Sequence, residues 1–255
     1  MPTRVVSSPS TADLFTVPKD GDSPLLGGAD KESFHTVVAK GLFIAKRVRP
    51  DILAPVSFLS GRVQNPTVSD LIKQKRMINY LHHTFSAGIV LDVGGGRRPD
   101  ITAWVDSSFG THLNGAGQTG FVISLGGGPI MASSCKQKHV TTSSGECELA
   151  GLYESSTGVV WTRDFVLEQG FKMGPARILH DNTSAITLAE KGFSSSKRSR
   201  HFHIKHLFIA DRIKDGEFKL EHCEGKKMRA DILTKGISGG LFSGLAKEMM
   251  NDDDT

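Results

Sequence analysis

The residues best suited to chemistry are four acids in the second half of the chain: Asp106, Glu148, Asp181 and Asp231. Each alone is ordinary, since Asp and Glu at strand ends and helix starts commonly form turns or caps. Two of them sit in less ordinary places. Asp106 follows Ala103, Trp104 and Val105, and Asp181 follows Ile178, Leu179 and His180, so both fall at sheet positions where an unpaired charge is costly. A bound cation resolves that cost. Hard oxygen ligands without a His or Cys cluster favour Mg²⁺ or Mn²⁺ over zinc. Two such ions about 4 Å apart can generate hydroxide and stabilise the leaving oxygen of a phosphodiester. The expectation is that the four acids meet around divalent metal.

The elements that must position them follow from the residue pattern. ITAWVDSSFG, a polar turn and GFVISLG form a hairpin over 100–126, with Asp106 on its first strand. Beyond Gly126, Gly127 and Gly128, PIMASS adds a third strand of a meander. From Ser143 the period becomes helical through Leu149, Leu152, Tyr153, Val159, Val160, Val166 and Leu167, with Glu148 near the start, a kink expected at Gly158 and an end near Gly170. RILHD is a buried strand ending in Asp181, followed by a short helix over 182–190. Residues 203–214 are helical, 217–223 alternate as a strand, and 228–233 begin a helix that carries Asp231. The order βββαβα, a helix, then βα, specifies an α/β (α+β) layer over 99–240, with 241–255 as a C-terminal tail.

The first half is organised differently. Residues 1–30 are rich in Ser, Thr, Pro, Asp and Gly and read as a flexible leader. Residues 31–95 form a small helical segment: one helix capped at Ser33 and ending before Pro50, one over 51–60, and a third capped at Thr67 or Ser69. GGGRRP at 94–99 is a hinge. It lacks both a helix directly behind it and a Gly-Lys-Ser/Thr, so it is not a phosphate cradle.

Composition narrows the partners. An apolar content of 38% supports a core, and no apolar run approaches the roughly 20 residues of a membrane span. With no secretory signal, no membrane association and a cytoplasmic or nuclear location are expected. Three cysteines without metal spacing support neither a disulfide framework nor zinc. The net charge of +4 is mild, but 191–205 contains no acid, and Lys197, Arg198, Arg200, His201 and Lys205 there are candidates for phosphate contact.

From about Ser33 to Gly240 the sequence resembles the polymerase polyprotein of copia-type long-terminal-repeat retrotransposons, specifically the end of the reverse transcriptase region followed by the ribonuclease H domain. The motifs that carry this are FHTVVAKGLFIAKRVRPDI, WVDSSFG, SCKQKHVTTSSGECEL, DNTSAI, SKRSRHFHIK and ADILTK, in that order. The resemblance implies a ribonuclease H-like fold, a mixed five-stranded sheet flanked by helices, and a helical remnant of the reverse transcriptase connection over 31–95. It also implies hydrolysis of RNA in RNA/DNA hybrids with two Mg²⁺ or Mn²⁺ ions, an endonuclease reaction leaving 5′-phosphate and 3′-hydroxyl ends. A reverse transcriptase polymerase domain is the implied protein partner; polymerase activity from this chain alone is not expected.

Carried over onto this chain, Asp106, Glu148, Asp181 and Asp231 are the implied catalytic and metal-binding set. Glu146 competes with Glu148, which is preferred because it directly precedes Leu149. SSGECE departs from the family pattern with Gly145 and Cys147, where Ser143 or Ser144 must supply the cap, and His203 stands where Asp or Asn is usual. His222 is the candidate for proton transfer, although its strand-like setting favours packing or surface exposure. The alternative to an enzyme is a catalytically inactive nucleic-acid-binding remnant.

Overall fold

A computed structural model describes residues 5–19, 21–92, 100–191 and 200–252, without the side chains of 200–203. The hairpin and meander pattern produces β1 (Ile101–Ser108), β2 (Gln118–Leu125) and β3 (Pro129–Lys136), joined antiparallel. The two later strands, β4 (Ala176–His180) and β5 (Phe218–His222), add in parallel on the other side of β1. The result is the expected mixed five-stranded sheet, in the order β3-β2-β1-β4-β5.

Alternation along β1 assigns its two faces. Ile101, Ala103 and Val105 are buried with Leu149, Leu152, Ile178 and Ile209, under α4 (Ser144–Glu168) and α6 (Arg200–Lys214). Trp104 and Asp106 point the other way, toward α7 (Asp231–Thr234) and the N-terminal helices. α4 runs unbroken through Gly158; a Cβ there would lie 2.9 Å from Ile123 Cδ1, so glycine permits close helix–sheet approach.

The N-terminal helices are α1 (Gly28–Ala45), α2 (Leu53–Ser60, after a 3-10 turn at Pro50–Ile52) and α3 (Val68–His83). α1 begins at Gly28 rather than at the expected Ser33 cap, whereas Thr67 does cap α3, forming a reciprocal capping box with Asp70. Their apolar faces are used against the sheet: Ile52, Leu53 and Val56 share one core with Val122, Ile232 and Leu233. Within them, Arg49 donates to Asp51, 2.8 Å at the shortest, and Tyr80 Oη donates to the same carboxylate at 2.6 Å.

Both ends of the chain differ from the pattern reading. In the stretch read as a flexible leader, Leu14 is 1% exposed and packs with Phe34, Val38 and Phe58, while Lys73 donates to the Leu14 carbonyl at 2.9 Å. In the stretch read as a tail, α8 (Gly239–Met250) buries Phe242, Leu245, Ala246, Met249 and Met250 against the same core as α2. Asn251, in the left-handed region at φ 56°, closes α8 and donates to the Val90 carbonyl at 3.1 Å. Among the described residues no helix is long and apolar enough to cross a membrane.

Candidate active site

The parallel pairing of β1 with β4 brings the C-terminal ends of both strands side by side, the position where open α/β sheets present ligand sites. Asp106 is near the end of β1 and Asp181 directly follows β4. α7 then delivers Asp231 from the face that Asp106 points to. Ligand oxygens of Asp106, Asp181 and Asp231 all lie within 4.8 Å of one another.

Several contacts fix this arrangement. Thr234, fully buried, donates from its hydroxyl to Asp106 Oδ2 in a short contact across the α7–β1 junction. α7 itself is held by a relay in which His112 donates to Gln118, Gln118 to Ser134 (2.8 Å each), and Ser134 to the Leu233 carbonyl at 2.6 Å. Gly120 is opposite Asp106 in the β1–β2 register. A Cβ there would meet Leu233 Cβ at 2.7 Å and Thr234 Cγ2 at 2.8 Å, so only glycine lets α7 approach this closely.

Glu148 is positioned from the other side. Ser143 caps α4 by accepting from the Glu146 N–H at 3.2 Å, supplying the hydroxyl that Gly145 cannot. Gln137 donates to both Thr119 Oγ1 and the Cys147 carbonyl at 3.0 Å, tying the helix start to β2. Glu146 turns back to accept from the Thr142 N–H at 2.7 Å, whereas Glu148, 12% exposed, faces fully buried His180. Glu148 Oε2 is 3.3 Å from His180 Nε2 but misaligned for a hydrogen bond, leaving both buried atoms without a hydrogen-bond partner among the described residues. His180 Nδ1 accepts from the Asn182 N–H at 3.0 Å, which puts the ring proton on Nε2, toward Glu148. Glu148 thus borders the three aspartates but is not one of that triplet.

The electrostatics show a crowded anionic site. Burial, then the Asp106 carboxylate, pushes Asp231 up to about 6. Burial also raises Glu148, against the stabilising effect of His180. Lys235 is the local counter-charge: its Nζ lies 2.8 Å from Asp231 Oδ1 and 3.2 Å from Asp106 Oδ2. Burial opposes the charge of this ammonium, but the two aspartates outweigh it and hold Lys235 above its ordinary range. The donor set fits a hard divalent cation, being all carboxylate oxygen, closely spaced, with a buried Glu148 oxygen beside it.

The other sequence-predicted residues are placed less centrally. Lys197 and Arg198 lie outside the described residues, as do the side chains of Arg200 and His201. Lys205 Nζ is 5.4 Å from the Tyr153 ring centre and joins Lys138 and His139 around a pocket of about 260 Å³. His222 is exposed on β5, in register with His180, and among the described residues no hydrogen bond or ion pair joins it to the four acids. The pattern reading gave no role to His180, Thr234 or Lys235. The last two stand in ADILTK, three and four residues after Asp231, a spacing that brings side chains onto the same face about one turn on.

A sheet of this order and direction, with acids at the ends of β1 and β4, is a ribonuclease H-like α/β fold. The chain is 31% identical over 222 residues to the retrovirus-related Pol polyprotein from transposon RE1 of Arabidopsis thaliana, covering 86% of this chain and 15% of that protein. It is 25% identical over 225 residues to the Pol polyprotein from transposon TNT 1-94 of Nicotiana tabacum, covering 88% of this chain and 17% of that protein. The likeness to copia-type retrotransposon Pol polyproteins therefore extends over most of the chain, which spans about 15% of the first relative's length. LC11-RNase H1, isolated from compost, superposes with a TM-score of 0.41 at 18% identity, covering 53% of this chain and 92% of that one. No protein-family model matches the chain.

Proposed function

We propose that this chain is a divalent-metal-dependent ribonuclease H that cleaves the RNA strand of an RNA/DNA hybrid endonucleolytically. The observation that carries the reading is the convergence of Asp106, Asp181 and Asp231 within 4.8 Å at the ends of two adjacent parallel strands. Those three would hold Mg²⁺ or Mn²⁺, with Glu148 beside them. When bound, two such ions supply a water of lowered pKa and charge stabilisation at the phosphodiester.

The chain's own residues do the positioning. Thr234 orients Asp106, and His180 steadies Glu148 against the sheet end. Asn182 is committed to capping: its Oδ1 accepts from Ser184 N at 3.0 Å and Ala185 N at 3.1 Å, starting α5 (Thr183–Lys191) and leaving Asp181 turned to the site. Lys205, with Lys138, offers charge to the hybrid backbone, together with Lys197, Arg198, Arg200 and His201. In the longer polyprotein the partner would be the reverse transcriptase region.

A panel of end-labelled substrates tests this. The purified chain in Mg²⁺ is expected to shorten RNA in a hybrid, to leave single-stranded RNA and duplex DNA intact, and to stop on chelation. Cleavage of single-stranded RNA that survives chelation would refute the reading, and hybrid binding without cleavage would favour an inactive remnant.

A further inference from the structure

Lys235 connects two observations that the catalytic reading leaves unused. Its ammonium sits between Asp106 and Asp231, in contact with both, within a carboxylate triplet close enough to share one ion. Its side chain is nevertheless 42% exposed, and it lines a groove of about 660 Å³ bounded by Phe15, Val17, Phe109 and His112. A lysine stem has four rotatable carbons, so its head can leave the acids for that groove without movement of α7. The backbone beneath it is fixed independently, because Lys235 N–H donates to the Asp231 carbonyl at 3.0 Å and Leu233 is tied to Ser134.

Clustered carboxylates at this spacing repel one another strongly when charged and buried. A cation in contact with two of the acids offsets that repulsion before metal arrives. One ammonium hydrogen-bonded to Asp231 and 3.2 Å from Asp106 occupies two of the three carboxylates that a divalent ion would use. An ammonium in contact with both carboxylates therefore competes with an arriving divalent ion for them.

Resting on the metal-dependent reading above, we propose that Lys235 is the site's displaceable counter-ion. It holds Asp106 and Asp231 together in the absence of divalent metal and swings into the Phe15–Phe109 groove when a metal ion takes its place. Lys235 is therefore a positioning residue that sets the metal threshold of the site.

Metal binding to this chain, measured without substrate, tests this. Mn²⁺ titration followed by the electron paramagnetic resonance of unbound ion would compare wild type with Lys235→Met, with exposed Lys40→Met as a charge-loss control. Lys235→Met is expected to bind Mn²⁺ roughly tenfold more tightly, the scale of one removed charge at contact distance, and Lys40→Met to match wild type. Equal or weaker binding by Lys235→Met, with wild type binding normally, would overturn the counter-ion role alone. No binding by any of the three proteins would remove the metal reading and this inference with it. A second measurement needs no variant: amine acylation of wild type, read by mass spectrometry, should label Lys235 faster once Mg²⁺ is added. Unchanged labelling at saturating Mg²⁺ would mean that lysine and metal are held together, against the proposal.

Discussion

Replacing Gly120 by alanine probes how tightly α7 must sit for the acids to meet. The new Cβ would lie 2.7 Å from Leu233 Cβ, 2.8 Å from Thr234 Cγ2 and 3.1 Å from the Ala230 carbonyl oxygen. Ordinary carbon contacts are about 3.5–4.0 Å, so α7 must retreat by roughly 1 Å. Leu233 and Thr234 are both fully buried, and a Cβ cannot rotate out of the way. Overpacking of this kind costs about 1–3 kcal/mol, which corresponds to a melting midpoint lower by roughly 2–12 °C for a chain of this size. The same retreat takes Asp231 from Asp106 and stretches the Thr234 hydrogen bond, so hybrid cleavage should fall about 100-fold. Thermal unfolding and single-turnover cleavage on the same preparation are the assays. An unchanged midpoint with an unchanged rate would show that α7 is not pressed onto β2 at this point, and would refute the account of how Asp231 is delivered.

Three further outcomes follow from other parts of the molecule. Arg49→Met should destabilise by about 3–5 kcal/mol, because it strands the fully buried Asp51 carboxylate, while Tyr80→Phe, losing one hydrogen bond, should cost less; denaturant unfolding ranks the two. Gly145→Ala should raise stability by about 0.5–1 kcal/mol in the same assay, since its Cβ meets nothing nearer than Ser143 Oγ at 4.0 Å inside α4. Burial, with help from the Lys136 charge, lowers the pKa of His112, against the opposing Gln118 hydrogen bond. The folded state therefore binds this proton less well than the unfolded chain, and the stabilisation from neutral His112 is fully present above the ordinary value of 6.5 and lost as pH falls below it through the lowered folded value. Melting midpoints at pH 7.5 and 5.5 should differ more for wild type than for His112→Gln; equal differences would contradict it.

The strands and long helices were legible because their apolar residues repeat with period 2 or 3.6 and are bounded by Gly, Pro and cap residues. The apolar runs before them placed Asp106 and Asp181 at sheet positions, but the adjacency of β1 and β4 is seen only in the fold. What the pattern did not reveal is contact across the sequence. Leu14, with Phe15 and Val17, is a short apolar run in a polar leader, and its packing on Phe34 and Val38 of α1 and Phe58 of α2 is encoded by no local period. α8 did carry a signal, with Phe242, Leu245, Ala246 and Met249 at helical spacing, but its polar and glycine-rich flanks read as a tail. Lys235 is chemically a surface lysine by sequence. Its position between two acids exists only because the α7 turn brings it onto Asp231 and Gly120 lets that turn touch β1's partner strand. His180 was similarly hidden, since a histidine in an apolar strand gives no sign of whether it faces packing or an acid.

Asp106, Asp181 and Asp231 are proposed to act as one hydrolytic centre. Single-turnover cleavage of an RNA/DNA hybrid by wild type and Asp181→Asn, in parallel at saturating Mg²⁺ and with end-group analysis of the RNA, tests it most directly. Wild type should leave 5′-phosphate and 3′-hydroxyl ends, and Asp181→Asn should cleave at least about 100-fold more slowly while still binding the hybrid. Equal RNA loss in both samples would contradict it.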